Sequence, residues 1–280
     1  MNPIKVFHII LCETLNKKER ERVPEPALVM SDQEHVEAFA AGSDEVLVPL
    51  YCLHLEKLAN RLKPGDRVLD LGCGSGRLLT RAASFFKDVE FIGLDLSEPM
   101  LQSARLWSAQ NGVSNVSWQK GDMANLGQFT DSSFDAVTSS LALHHLPDVS
   151  ALKLAMGEID RVLKPKGAII LSDLGSIHAE RSIQILTDDR RHLDPAPLIE
   201  DYENSLRAAF SMRDWRFAMA SVSKTDLQAH RSRPLNLFVQ IVSPVLATHA
   251  DAFSSLKQWR KALNLEQKWN HRLLKTFQSV

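Results

Sequence analysis

Short apolar runs alternate with stretches of helical periodicity through the central part of the chain. Runs that begin near Arg67, Val89, Ser114, Phe134 and Ala168 are compact and bounded by turn residues, which predicts five strands. Between most of them, apolar residues recur every three or four positions, as in helices that bury one face. Strands that alternate with helices in this way form a parallel sheet covered on both faces. The pattern therefore predicts a doubly wound α/β domain.

The segments before and after this core follow different patterns. A helical stripe of leucines extends through residues 31–62, and the charged residues 13–26 ahead of it are interpreted as a solvated linker. We therefore divide the chain into an N-terminal extension with a lid helix, a core domain and a C-terminal helical tail, at residues 1–44, 45–243 and 244–280.

Two helix-like segments follow the fifth strand before the chain returns to the sheet. They cover residues 179–189 and 197–210 and are separated by a break that contains Pro195 and Pro197. An insertion after a parallel strand lies above the carboxyl edge of the sheet, where ligands bind in such folds. Residues 176–210 are therefore predicted to form a helical lid.

Two further patterns complete the chain. Residues 225–230 and 235–242 are interpreted as a β-hairpin, and a helical tail follows at 252–277. Apolar residues of the tail recur at helical spacing, so we expect it to pack on its own domain. The alternative is that the tail forms the contact of a homodimer.

A glycine-rich segment after the first strand is the most informative motif. Residues 70–76 read DLGCGSG and join an apolar run to a helical pattern, so the main chain turns sharply where a ligand can touch the backbone. Dinucleotide-binding loops carry a further glycine at the position of Arg77. The segment instead resembles the first motif of class I S-adenosylmethionine (SAM) methyltransferases, in the style of the ubiquinone/menaquinone C-methyltransferase-like (methyltransferase-11-like) branch.

The spacing of later motifs strengthens this resemblance. Asp95 ends the second strand, 19 residues beyond Gly76, where a carboxylate accepts hydrogen bonds from the two ribose hydroxyls of an adenosine. The third strand runs into Asp122 and Met123, and the fourth strand ends at Ser140. These elements follow one another in the order found in the family.

The resemblance implies a fold, a cofactor and a set of contacts. The fold is a Rossmann-like sheet of seven strands in the order 3-2-1-4-5-7-6, with strand 7 antiparallel. The cofactor is SAM, whose methionine end would meet Asp70, Gly72 and Gly74. The remaining contacts to SAM would come from Asp95, Leu96, Asp122, Met123 and Ser140.

Two residues near the expected methyl group are candidates for catalysis. His145 follows the fourth strand and could act as a base, or it could pack the loop, in which case its neighbour His144 serves as the comparison. Asp173, at the tip of the fifth strand, is a second proton acceptor that we expect to face the cleft. Residues 190–192 of the lid either bind an acidic substrate or form a solvated surface.

Composition narrows the choice of partners. The formal net charge is −1 and the sequence pI is about 6.8, so we expect no nucleic acid partner. Cys12, Cys52 and Cys73 are scattered without a C-x-x-C pair. This spacing favours a reducing compartment and argues against a disulfide framework and against a zinc site.

No carboxylate pair stands at the ends of strands four and five, so no metal is expected. No apolar run approaches the roughly 20 residues of a membrane helix, so we expect no membrane span and a cytoplasmic protein.

The predicted function is SAM-dependent transfer of a methyl group to an O, N or C atom of a small organic acceptor, with S-adenosylhomocysteine as the product. Methylation of a tRNA or a protein side chain is one alternative, which a basic surface around the cleft would favour. A SAM-binding sensor or scaffold subunit without catalysis is the other. A lid or tail that filled the acceptor pocket would favour it.

Overall fold

A computed structural model describes residues 3–16, 18, 20–26, 47–274 and 278–279. The helical pattern of residues 31–46 lies outside this range. The strands are β1 (Arg67–Leu71), β2 (Glu90–Asp95), β3 (Val116–Lys120), β4 (Phe134–Ser140), β5 (Leu163–Leu174), β6 (Gln228–Arg231), β7 (Phe238–Val242) and β8 (Gln278–Ser279). The helices are α1 (Pro3–Leu15), α2 (Val48–Ala59), α3 (Arg77–Phe85), α4 (Glu98–Gln110), α5 (Val149–Val162), α6 (Glu180–Asp188), α7 (Ala196–Ala208), α8 (Met212–Met219), α9 (Ala250–Ala262) and α10 (Leu265–Leu274).

The strands form one sheet in the order β3-β2-β1-β4-β5-β7-β6-β8. Strands β1 to β5 pair in parallel, and β7 runs antiparallel to both β5 and β6. The predicted order and the antiparallel seventh strand are therefore confirmed. The tail adds β8, which pairs antiparallel with β6 at the sheet edge. A strand of two residues has no periodicity from which it could be predicted.

Strand β1 illustrates how the sheet is buried on both faces. Val68 packs in the apolar cluster that contains Leu55 of α2, whereas Leu69 and Leu71 pack in the opposite cluster with Ile159 of α5. Successive side chains of a strand point to opposite faces, so a strand covered on both sides must be apolar at consecutive positions. The loops at the carboxyl ends of the strands build the site.

The insertion after β5 supplies the two helices that its pattern predicted, α6 and α7. Helix α1 packs against α6, and the Glu13 carboxylate of α1 accepts hydrogen bonds from the main-chain nitrogens of His178 (2.9 Å) and Ala179 (3.0 Å). These contacts hold the N-terminal helix and the insertion together on the carboxyl side of the sheet.

The charged segment at residues 20–26 is not the solvated linker that the charge pattern predicted. The Arg20 guanidinium donates to the carbonyl of Arg207 (2.9 Å), and the Arg22 guanidinium donates to that of Ala208 (2.6 Å). Carbonyl groups at the C-terminal end of a helix lack helical partners, and here the two arginines satisfy those of α7. A charge pattern cannot distinguish an arginine paired with main-chain carbonyls from one in water.

The tail forms two helices, α9 and α10, where the pattern predicted one. Both pack against α2, so the tail lies on its own domain as expected. The homodimer remains a prediction. Among the described helices, none is long and apolar enough to cross a membrane.

Candidate active site

A cavity of about 680 Å³ opens at the carboxyl ends of β1, β2 and β4. The glycine-rich loop after β1 forms one wall, and Leu198 and Tyr202 of α7 form part of the opposite wall. Val6 of α1 and Trp269 of α10 also reach the cavity. The site therefore combines the core sheet with the three segments that the sequence pattern placed outside it.

The loop after β1 requires glycine at two positions. Gly72 and Gly76 have φ values of 67° and 71°, a left-handed conformation that L side chains rarely adopt. A Cβ atom at Gly72 would overlap the side chain of Ala142, and one at Gly76 would overlap the Trp118 ring. The backbone of this loop consequently lies against its neighbours and borders the cavity without side chains in between.

Asp70 provides a buried carboxyl group at the methionine end of the expected cofactor. Its side chain is buried beside the cavity, and its Oδ1 has no hydrogen-bond partner among the described residues. Burial, followed by the negative charge of Asp95, raises the pKa of Asp70 well above its usual value. A buried carboxyl group that lacks a partner fits the positively charged amino group of SAM, because a cation there would favour the ionised form.

Asp95 lies where the ribose is expected. Its Oδ2 accepts a hydrogen bond from the main-chain nitrogen of Gly74 (2.8 Å), and its Oδ1 accepts one from that of Ser97 (2.8 Å). Burial raises the pKa of Asp95 despite these bonds. Each carboxylate oxygen can accept a second hydrogen bond. Asp95 and the neighbouring Leu96 both line the cavity, so the carboxylate can hold the loop and receive ribose hydroxyls together.

The residues expected beyond the ribose occupy different environments. Met123 lines the cavity, but Asp122 is exposed, and its Oδ1 accepts a hydrogen bond from the main-chain nitrogen of Ala124 (2.8 Å). Asp122 therefore shapes the turn that carries Met123, and its contact with the adenine stays a prediction. Ser140 does line it, and its buried Oγ lacks a hydrogen-bond partner among the described residues.

The loop after β4 places His144, and not only His145, at the cavity. Leu141 has a left-handed φ of 54°, and a single 3-10 turn follows at Leu143–His145. This turn points the His144 ring inward, where 3% of the residue's surface is exposed. The periodicity of the sequence does not predict such a turn. The sequence therefore could not show which of the two histidine rings points inward.

Asp173 lies behind His144 and does not face the cleft as predicted. Its Oδ1 pairs with Nδ1 of His144 at 2.6 Å, and its Oδ2 accepts a hydrogen bond from the main-chain nitrogen of His144 at 3.0 Å. The carboxylate is buried, and Oδ1 also accepts from the main-chain nitrogen of Leu174 at 2.7 Å. Asp173 is therefore placed to orient His144 and to stabilise a positive charge on its ring, because it already holds Nδ1.

The two histidines differ in their affinity for a proton. Burial alone would lower the pKa of His144, but the negative charges of Asp173 and Glu25 outweigh it, so the pKa is raised. For His145, burial and the adjacent His144 lower the pKa to about 3, although 32% of its side chain is exposed. A base with so low a pKa binds a proton weakly, and of the two rings only that of His144 has a carboxylate among the described residues within hydrogen-bond distance of Nδ1. The two observations together favour His144 over the predicted His145.

Glu25 is the acidic residue that the sequence analysis missed. Its Oε1 accepts a hydrogen bond from Ser205 Oγ (2.7 Å) and lies 3.6 Å from Nε2 of His144. That Nε2 has no hydrogen-bond partner among the described residues, and 3.6 Å is too long for one. Burial raises the pKa of Glu25. The flanking Pro24 and Pro26 signalled a fixed extended chain, but not what it would contact.

Arg22 joins the histidine loop to the insertion. Its guanidinium donates to the main-chain carbonyls of His144 (2.8 Å), Pro147 (2.6 Å) and Ala208 (2.6 Å), and it stacks 4.0 Å above the ring of Phe210. One side chain thus ties the turn after β4 to the end of α7. The segment interpreted as a linker is part of the framework that holds His144.

The far end of the cavity is mostly apolar with one ion pair. Its apolar side chains come from Leu141, Leu174, Leu198, Leu237 and Phe238. Arg190 pairs with Asp194 at 2.6 Å, so it belongs to a neutralised pair and not to a solvated run of charge. Burial raises the pKa of Tyr202 to about 12, so its hydroxyl stays protonated at neutral pH and cannot serve as the base.

The lining does not support the alternatives that the sequence left open. The carboxylates at the cavity are Asp70, Asp95, Asp194 and Asp201, and the guanidinium groups are Arg77 and Arg190. Because acidic groups outnumber basic ones, the described residues form no basic surface around the cleft. Among the described residues, neither the insertion nor the tail fills the space, since a cavity of about 680 Å³ remains.

Comparison with known proteins identifies the domain. A family model described as a methyltransferase domain matches residues 62–232. An uncharacterised methyltransferase of Bacillus subtilis, YcgJ, is 34% identical over 165 residues, which cover 58% of this chain and 60% of that protein. A ubiquinone biosynthesis O-methyltransferase of Xanthomonas axonopodis is 35% identical over 148 residues, which cover 52% of this chain and 59% of that protein. A demethylmenaquinone methyltransferase of Symbiobacterium thermophilum is 38% identical over 120 residues, which cover 42% and 46%. The chain thus spans about half the length of these relatives.

Solved structures agree on the fold. A methyltransferase structure from Methanococcus maripaludis has a TM-score of 0.58 at 18% identity and covers 80% of this chain and 96% of that one. A SAM-dependent methyltransferase structure from Aquifex aeolicus has a TM-score of 0.53 at 17% identity, and the match covers 78% of this chain and 100% of that one. The shared part is the sheet and its flanking helices.

Proposed function

The chain belongs to the methyltransferase-domain family, and we propose that it is a class I SAM-dependent methyltransferase that methylates a hydroxyl group of a small, largely apolar acceptor. The acceptor binds beneath α7, between the glycine-rich loop and the turn that carries His144. A phenolic or hydroquinone-like ring is the acceptor class that the cavity and the relatives together favour.

One observation carries the proposal. The buried His144 ring is held at Nδ1 by Asp173, while its Nε2 lies at the cavity without a hydrogen-bond partner among the described residues. With Nδ1 donating to the carboxylate, Nε2 of the neutral ring has a lone pair available for a proton. An acceptor hydroxyl can lose its proton to that nitrogen as its oxygen becomes methylated. Asp173 then stabilises the imidazolium that forms.

The chain's other residues bind and orient. Asp70 and the backbone of Gly72 and Gly74 would hold the methionine part of SAM, and Asp95 with Leu96 would hold the ribose. When bound, SAM supplies a methyl group on a sulfonium, which has a neutral leaving group. The protein then has to align the two reactants and exclude water. Helices α1 and α7 border the cavity on the solvent side and are placed for that exclusion.

The cavity lining and the names of the related methyltransferases together support the acceptor class. Leucine side chains and Phe238 line the space beyond the glycine-rich loop, which suits a ring or alkyl group better than a charged molecule. Two relatives bear names from ubiquinone biosynthesis and demethylmenaquinone methylation, and both names refer to substituted quinones. Of the hydroxylated apolar molecules, a quinone-related ring agrees with both observations.

The proposal is tested by following S-adenosylhomocysteine formation with a panel of phenols and hydroquinones of increasing alkyl length. We expect turnover with the apolar hydroxylated rings and none with their methyl ethers. In parallel, Asp95→Ala should weaken SAM binding in calorimetry by about 1 to 3 kcal/mol, because a ribose hydroxyl loses its acceptor. Turnover of tRNA or peptides but of no small phenol would contradict the acceptor class. Unchanged SAM affinity in a folded Asp95→Ala variant would contradict the cofactor contact.

A further inference from the structure

The described residues hold two clusters of metal-binding residue types. Glu25, His144 and His145 form one at the SAM cavity, and the other lies outside the cavity, between α2 and the tail helix α10. Cys52 and Glu56 stand four residues apart on α2, which places them on one face of the helix. His271 of α10 faces them, and one potential ligand atom from each of the three residues lies within 4.8 Å of the others. The cluster joins residues more than 200 positions apart, so no sequence motif could reveal it.

The His271 ring points to a ligand at this place. The residue is 4% exposed, and its Nε2 has no hydrogen-bond partner among the described residues. Its nearest acidic atom is Oε1 of Glu56, at 3.7 Å, which exceeds hydrogen-bond length. A buried nitrogen that lacks a hydrogen-bond partner destabilises the fold. A cation between the imidazole and the carboxylate would remove that destabilisation.

The donor set fits zinc. Thiolate, imidazole and carboxylate are the usual zinc ligands, with bonds of about 2.0 to 2.3 Å. Tetrahedral bonds of that length put neighbouring ligand atoms about 3.4 to 3.7 Å apart. The separation of 3.7 Å between His271 and Glu56 therefore already suits two ligands of one ion. Calcium and magnesium, which prefer oxygen ligands, would not suit a cysteine and a histidine.

We propose that Cys52, Glu56 and His271 bind one Zn²⁺ ion that fastens α10 to α2, with a water molecule as the fourth ligand. Binding displaces the thiol proton of Cys52 to solvent, because only the thiolate is a strong zinc ligand. Arg260 donates a hydrogen bond to Oε1 of Glu56 at 2.5 Å, which orients the carboxylate from outside the cluster.

The site would be structural and would bear on the acceptor cavity. Trp269 and Asn270, next to His271, line that cavity, and so do Leu50 and Tyr51, next to Cys52. An ion that joins the two helices would therefore fix the distance between two walls of the cavity. The rest of the active site, including His144, is built by other elements and does not depend on the ion.

Metal content is the direct test. The purified full chain would be loaded with Zn²⁺, dialysed and analysed for zinc per chain. We expect about one ion in the wild type and in Cys12→Ser, and a loss of at least tenfold in affinity in Cys52→Ser and His271→Gln. Zinc should also raise the melting temperature of the wild type and not that of these two variants. With Co²⁺ instead, a sulfur-to-metal charge-transfer band should appear in the wild type and be absent from Cys52→Ser.

Three outcomes would overturn the assignment. Wild-type chain without stoichiometric zinc at micromolar free metal excludes the site. Equal zinc binding in the wild type and in folded Cys52→Ser excludes the thiolate. Zinc lost in His145→Asn but kept in Cys52→Ser would place the ion in the acceptor cavity. Because circular dichroism of each variant reports folding separately, loss of zinc through unfolding would be recognised.

Discussion

Two buried histidines, His54 on α2 and His144 after β4, have opposite surroundings. His54 is fully buried, and both of its ring nitrogens have hydroxyl partners, Thr138 Oγ1 at 2.5 Å and Ser172 Oγ at 2.9 Å. His144 is almost as buried, but one nitrogen meets the carboxylate of Asp173 and the other lies at the cavity. The same side chain is thus a packing element in one place and a reactive group in the other.

The partners of His54 fix it as a neutral group. Thr138 Oγ1 donates its proton to the carbonyl of Ile170 (2.9 Å), so it accepts from Nε2 of His54, and Nδ1 is then left to accept from Ser172. Burial lowers the pKa of His54 to about 3. For His144, burial acts in the same direction, yet the nearby carboxylates raise the pKa. Burial makes a histidine inert unless a negative charge accompanies it and one nitrogen stays accessible.

The largest expected effect is on catalysis. His144→Asn should lower the single-turnover rate by at least about 100-fold, because a general base contributes 10² to 10⁴. SAM affinity, measured by calorimetry, should hold, since His144 makes no contact with the glycine-rich loop or Asp95 that the structure records. His145→Asn is the matched control and should lose far less. A greater loss at His145 than at His144 would reverse the assignment and make His145 the base.

The matching substitution at His54 should lower the stability of the protein and leave the rate of methyl transfer unchanged. His54→Leu removes the partner of two buried hydroxyls, so the free energy of unfolding in urea should fall by about 1 to 3 kcal/mol. The rate per folded molecule should stay near that of the wild type. If the variant kept its stability and lost activity, His54 would belong to the site and the contrast between the two histidines would fail.

The charge of Asp173 can be removed while its shape is kept. The neutral form of His144 accepts the proton, so the wild-type rate should fall as the pH drops through the raised pKa of His144. In Asp173→Asn that pKa falls, and the midpoint of the acidic limb should move down by about one pH unit or more, with a lower plateau rate. A midpoint that did not move would mean that Asp173 orients the ring without tuning it. His145→Asn should leave the midpoint in place.

The smallest effect is expected from the residue that holds the loop. Arg22→Lys keeps the charge but cannot reach the carbonyls of His144, Pro147 and Ala208 together. We expect a rate loss of about 3- to 10-fold from poorer alignment, and faster hydrogen exchange in residues 144–147. Arg20→Lys is the control, since Arg20 donates to the carbonyls of Glu21, Leu206 and Arg207 and not to this loop. Equal exchange in both variants would separate Arg22 from the placement of His144.

Much of the cofactor half of the site could be predicted from the sequence. Gly72 and Gly74 lie in the loop after β1, and Asp95 ends β2. The apolar pattern of a strand fixes where it ends and which loop comes next. Their neighbours in space are set by the regular pairing of parallel strands, so local patterns were sufficient. The contact of Asp122 with the adenine stays a prediction, because the strand pattern does not fix where the side chain of an exposed turn residue points.

The acceptor half required the tertiary structure. His144 and Asp173 are 29 residues apart, and Glu25 lies more than 100 residues from both, so their contact depends on how the insertion and the N-terminal segment fold onto the sheet. The left-handed Leu141 and the turn after it decide that His144 points inward beside His145. The cluster of Cys52 and His271 depends in the same way on where the tail packs. The sequence by itself determined the strands, the glycine-rich loop and the positions of Asp70 and Asp95 beside it, because those follow from periodicity over a few residues. Only the tertiary structure decided which histidine faces the acceptor, because that choice is made by packing between segments far apart in the chain.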